Sequence, residues 1–150
     1  MFSKMITMTC LFLATLAAAR DVRLRSTSTV CTSGLPAAKQ HPQYPINDFT
    51  YVAPRTNWTS YSIDQDWYKQ HFVSGPHYIS VSQGSDPYGA FKCQYTCNAA
   101  DNCNSYFVYY ENVGKSDEHL NCVLFDAIIE PSAFVPSSGT MGAGGYDRLC

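Results

Sequence analysis

The chain has 150 residues, with 10 basic and 12 acidic side chains and a net charge of −2. That near balance provides no basic footprint for nucleic acid and no strong attraction to an anionic membrane surface. Only 15 % of residues are charged while 14 % are aromatic, including 11 tyrosines, a residue that can be half buried with its hydroxyl in water.

Residues 1–19 open with Met1-Phe2-Ser3-Lys4, run apolar from Met5 and end in Ala17-Ala18-Ala19. A basic start, a short apolar core and a small-residue exit predict a secretory signal peptide cut after Ala19. The apolar run is shorter than the ~20 residues needed to span a bilayer, and Arg20, Arg23 and Arg25 follow at once. No later stretch is long and apolar enough to span, so the expected location is extracellular, with wall association as one form of it. Residues 20–30 are polar and basic and read as a mobile arm, with Ser26 to Thr29 as potential O-glycan acceptors.

Seven cysteines are present, and Cys10 lies in the signal. The other six are Cys31, Cys93, Cys97, Cys103, Cys122 and Cys150. An even number in a secreted chain predicts a disulfide framework, with 15 possible connectivities for six cysteines. The spacings lack the Cys-x-x-Cys pairs of common zinc sites, so no metal is expected.

Residues 31–61 are broken by Gly34, Pro36, Pro42, Pro45 and Pro54, which exclude a long helix. Asn57-Trp58-Thr59 is an acceptor for N-linked glycan at Asn57. Residues 61–73 form either a second helix or a stretch whose Trp67, Tyr68 and Phe72 cover one face of a sheet. Gly75-Pro76 is expected to end that segment, and 77–81 reads as a strand.

The clearest helix is predicted from Asp86 to about Asn98. Asp86 is a natural N-cap, Pro87 suits the first helical position, and Ala90, Cys93 and Cys97 share one face. Cys93 and Cys97 therefore bridge outward to other elements and not to each other. A strand follows over 105–111. Tyr106, Val108 and Tyr110 share the face expected under the helix, and Phe107 and Tyr109 share the other. Phe107 and Tyr109 must then be covered by the Pro-rich N-terminal segment or by a ligand. Residues 112–120 read as a polar hairpin loop, in which Asp117, Glu118 and His119 suggest only a solvated tip. Cys122 starts the returning strand. The glycine run over 139–145 reads as a flexible turn, because no helix follows that a phosphate loop would need. The last strand covers 146–150.

The run Cys93-x3-Cys97-x5-Cys103, the aromatic strand Ser105-Tyr106-Phe107-Val108-Tyr109-Tyr110-Glu111, then Cys122-x-Leu124 and a closing Cys150 resembles the PAN/apple family. It is closest in pattern to small secreted fungal proteins with a PAN-like module. The resemblance implies an α+β fold: a single disulfide-bonded domain over 31–150, with one central helix packed on a curved antiparallel sheet. It implies the pairs Cys93–Cys122, Cys97–Cys103 and Cys31–Cys150. The segment up to residue 85 is longer than an apple module carries there and reads as an N-terminal insert, 31–85.

PAN and apple modules bind proteins or carbohydrates, so the resemblance implies a non-catalytic module with a carbohydrate or extracellular protein as partner. The candidate contact residues are the outward Phe107 and Tyr109, with Trp58 and Trp67 of the insert. Aromatic faces stack on sugar rings and anchor protein interfaces. A structural surface-coat role without a specific ligand is the competing reading. Of the four histidines, His41, His71, His77 and His119, none sits in a nucleophile motif, and there is no Gly-x-Ser-x-Gly elbow. A carboxylate site among Asp64, Asp66 and Glu111 has no sequence support. No catalytic residue and no cofactor is expected.

Overall fold

The computed structural model describes residues 30–37, 43–81, 83–84 and 86–150. The expected signal peptide, the arm up to residue 29 and His41 lie outside the described residues.

The order of elements is β1 (Phe49–Val52), β2 (Tyr61–Ile63), α1 (Gln65–His71), β3 (Phe72–Ile79), α2 (Asp86–Ala99), β4 (Ser105–Glu111), β5 (His119–Phe125), a 3-10 turn (Pro131–Ala133), β6 (Phe134–Pro136) and β7 (Met141–Arg148). Five strands form one sheet in the order β1-β7-β4-β5-β3, with every neighbour antiparallel. Strands β2 and β6 pair separately as a two-stranded sheet. The class is α+β, but two helices are present where one central helix was expected.

Helix α2 matches the expected extent to within a residue. It begins at Asp86 itself, however, so Asp86 is its first residue and not its N-cap. Its Oδ1 is buried and has no hydrogen-bond partner among the described residues. Helix α1 has a conventional cap: the Asp64 carboxylate accepts from the Asp66 and Trp67 N–H groups at 3.1 and 3.0 Å.

Gly75-Pro76 does not end a segment. It lies within β3 as a cis peptide, flanked by two register shifts against β5. Strand β3 is at the edge of the sheet, where a proline's missing donor is tolerated. Gly75 has φ +124°, and a Cβ there would come within 2.8 Å of the Cys122 carbonyl oxygen.

The glycine run is likewise not a loose turn. Met141–Arg148 is a strand between β1 and β4, near the middle of the sheet. Rings explain the glycines: Tyr61 lies where a Cβ of Gly142 would be, and Tyr51 where a Cβ of Gly144 would be. Here glycine admits aromatic rings onto the strand itself.

Both faces of the sheet are covered. On the inner face, Tyr106, Val108, Tyr110, Leu120, Cys122 and Leu124 pack with Phe49 against Ala90, Cys93 and Cys97 of α2. On the outer face, Phe107, Val123 and Phe125 pack under Tyr61, Ile63, Ile129 and Phe134. This second core is made by the insert together with the chain after β5.

Three cysteine pairs are at bonding distance, with Cα atoms 5.1 Å apart for Cys31–Cys150, 5.9 Å for Cys93–Cys122 and 5.3 Å for Cys97–Cys103. They are the three pairs that the resemblance implies. Cys93–Cys122 joins α2 to β5 through the inner core, where both residues are fully buried. Cys97–Cys103 closes the turn from α2 to β4. Cys31–Cys150 sits beside a parallel bridge between Thr32 and Leu149. Each bond stabilises by roughly 2–4 kcal/mol.

Candidate functional site

Phe107 is 2 % exposed. Its ring lies 6.0 Å from Tyr61 and from Phe134 and stacks on Tyr109 at 5.4 Å. It therefore has no surface to offer a ligand, and its expected contact role is corrected. Tyr109 is half-buried on the same cluster, and burial, followed by the Glu111 charge, pushes its hydroxyl pKa well up. Trp67 packs edge-on to Phe125 at 4.9 Å and against His71 at 4.7 Å, and half-buried Trp58 joins the same cluster. The expected aromatic platform is thus brought together, but as a second core. The signal was in the sequence: 105–111 has hydrophobic side chains on both faces, the pattern of a strand covered twice.

Three aromatic side chains are exposed among the described residues: Phe72 at 43 %, stacked on Tyr68 beside the outer core, Tyr78 on β3 at 63 % and Tyr95 on α2 at 57 %. An open groove of about 510 Å³ runs between the two elements, lined by His77, Tyr78, Ile79 and Ser80 on one side and Lys92, Tyr95 and Thr96 on the other. Positions 92, 95 and 96 are spaced by three and four, so they project from one side of the helix. Ala90, Cys93 and Cys97 hold the helix to the sheet, which leaves that flank beside the sheet edge.

Tyr95 meets Phe91 edge-on at 5.0 Å on the helix wall, whereas the Tyr78 ring lies against His119 at 4.5 Å on the face of the sheet away from α2. The Lys92 ammonium lies 5.5 Å from the Tyr88 ring centre. Lys92 has no carboxylate within ion-pair distance among the described residues. Sequence reading missed Tyr78 and Tyr95 as surface residues, because each sits in an ordinary alternating or helical pattern and nothing local marks it as open.

A second recess of about 290 Å³ lies between the turn at 112–115 and residues 138–141, and among the described residues no aromatic ring lines it. The remaining polar candidates are engaged locally. Asp117 accepts from Asn112 at 2.7 Å. Glu118 accepts from the Gly114 and Gln83 N–H groups at 2.6 and 2.7 Å, and these bonds lower its pKa. His119 and Glu111 are 3.4 Å apart, and Asp66 pairs with Lys69. His71 bonds Asp126 at 3.0 Å. Ser74 Oγ and His77 Nε2 lie 2.9 Å apart, but no carboxylate orients this imidazole among the described residues. Among the described residues no three His, Cys, Asp or Glu side chains are grouped to hold a metal. No described helix is long and apolar enough to cross a membrane.

Asn57 and Thr59 are exposed, in the connection between β1 and β2, while Trp58 between them turns inward. Compared with family models and with curated proteins, the chain matches none.

Proposed function

We propose that this chain is a secreted, non-catalytic binding module for a carbohydrate or protein ligand outside the cell, of PAN/apple-like type. The observation that carries the reading is the groove between β3 and α2, with Tyr95 exposed on its helix wall and the 77–80 segment forming the other. Tyrosine combines a flat apolar ring with a polar tip and loses little entropy when it is fixed, which suits it to sugar rings and to protein anchors alike. Ser80, Thr96 and Lys92, which also line the groove, are available as directional polar partners. The three disulfide pairs and the helix packed on an antiparallel sheet support the family reading. A glycan at Asn57 would stand on the outer-core side of the domain, clear of the groove.

The test is a screen of the mature, glycosylated chain against a glycan array and against extracellular proteins, repeated with Tyr95→Ala and Tyr78→Ala. Both side chains are exposed, so both variants should keep the wild-type melting temperature. Loss of binding in Tyr95→Ala supports the groove. Binding that survives Tyr95→Ala, or that is lost only in Tyr78→Ala on the far face of the sheet, overturns it. Silence in both screens favours a structural surface-coat role instead.

A further inference from the structure

We infer that the groove takes an extended polypeptide segment, which pairs with the free edge of β3 as a sixth strand. The inference rests on the groove's being the binding site and names its ligand as protein.

Among the described residues, strand β3 is bonded to β5 on one side only. Natural sheets block such edges with proline and bulges, and the first half of β3 does so: its two register shifts and Pro76 all fall before His77. From His77 the register runs regularly, His77 opposite Cys122, Tyr78 opposite Asn121 and Ile79 opposite Leu120. The protection therefore stops where the groove begins. Among the described residues, the backbone of 77–80 makes no bond beyond β5 except at the Ile79 carbonyl, which accepts from the Val81 N–H at 2.9 Å.

An added strand lies roughly 4.8 Å from its neighbour. One placed beside 77–80 would occupy the groove, with the α2 flank along it. Main-chain bonds would supply affinity, and the side chains on one face of the added strand would meet the α2 flank. Tyr95 offers an apolar face to one of them. Among the described residues, Lys92 is the one Lys, Arg, Asp or Glu lining the groove and has no carboxylate partner, so the segment should carry an acidic residue there.

The probe is a random 12-residue peptide library panned on the mature full chain, with the best binder resynthesised bearing N-methyl groups at each backbone position in turn. Strand pairing predicts loss at every second position, about fivefold or more for each deleted bond, with little change between. Lys92→Glu should weaken the same peptide, and Tyr95→Ala should abolish it. A binder that shows no alternation, or that ignores both substitutions, overturns the inference. An empty library overturns it as well. If the chain instead binds a glycan in a Tyr95-dependent way, the strand inference fails while the groove stands. If neither probe binds, both fail. A Tyr95-dependent dimer seen by sedimentation would assign the edge to a second copy and overturn the peptide ligand.

Discussion

Asp147 should make the fold less stable as the pH rises through neutrality. It lies on β7, opposite Ser105 of β4 and near the middle of the sheet. It is 2 % exposed, and its Oδ1 accepts from the Ile129 N–H at 2.8 Å. Burial pushes its pKa up from 3.8 to about 7, with the Ile129 bond pulling the other way. A carboxyl raised in the folded state binds a proton that the unfolded chain has already lost. Its stabilising contribution is complete below pH 3.8 and is lost as the pH rises through about 7. At about 1.4 kcal/mol per pH unit, the full span is worth on the order of 4 kcal/mol. Asp147→Asn keeps an oxygen for the Ile129 N–H and removes the titration. Urea unfolding of the disulfide-intact protein from pH 4 to pH 8 checks this. The wild type should lose stability relative to the variant by an amount that grows with pH and levels off above about pH 8. A difference that stays constant with pH would refute the reasoning.

Phe107→Ala should behave as a core deletion, costing roughly 3–5 kcal/mol, and ligand binding by the folded fraction should be unchanged. Calorimetry alongside the binding screen separates the two. Gly144→Ala introduces a side chain at φ +136° and against the Tyr51 ring, so it should destabilise by more than about 2 kcal/mol. Gly114→Ala, at φ +77° in open space, is the control and should cost only about 1 kcal/mol by the same urea assay. Removing the Cys93–Cys122 pair as a double alanine variant should cost about 3–4 kcal/mol in the chain-entropy model for a separation of 29 residues. The lost sulfur packing adds to that, and a smaller urea midpoint shift than for the Cys97–Cys103 pair would contradict it.

Helix α2 and the inner face of β4 were legible because their signals are local. Asp86-Pro87 marks a helix start, Ala90, Cys93 and Cys97 mark one helical side, and alternation puts Tyr106, Val108 and Tyr110 together. The course of β7 was not legible, because glycine is read as a turn unless the ring that needs the space is known. Tyr61 and Tyr51, which explain Gly142 and Gly144, are roughly 80–90 residues earlier in the chain. Strand β3 was shortened for a similar reason. Gly75-Pro76 is a breaker by local rule, and only the edge position makes it acceptable within a strand. The site was misplaced because alternation divides a strand into two faces without saying whether either is open. Phe107 and Tyr109 were assigned correctly to the face away from α2, but that face is roofed by residues from both ends of the domain.

The bond between Cys31 and Cys150 also determines how the domain carries load. It brings Cα atoms 119 positions apart in sequence to within 5.1 Å. A pull applied at residue 31 against residue 150 is borne by that one covalent link, and the strands between them stay slack. In an oxidising medium the domain is mechanically a closed loop. It would transmit tension without extending, and would lengthen under force only after reduction.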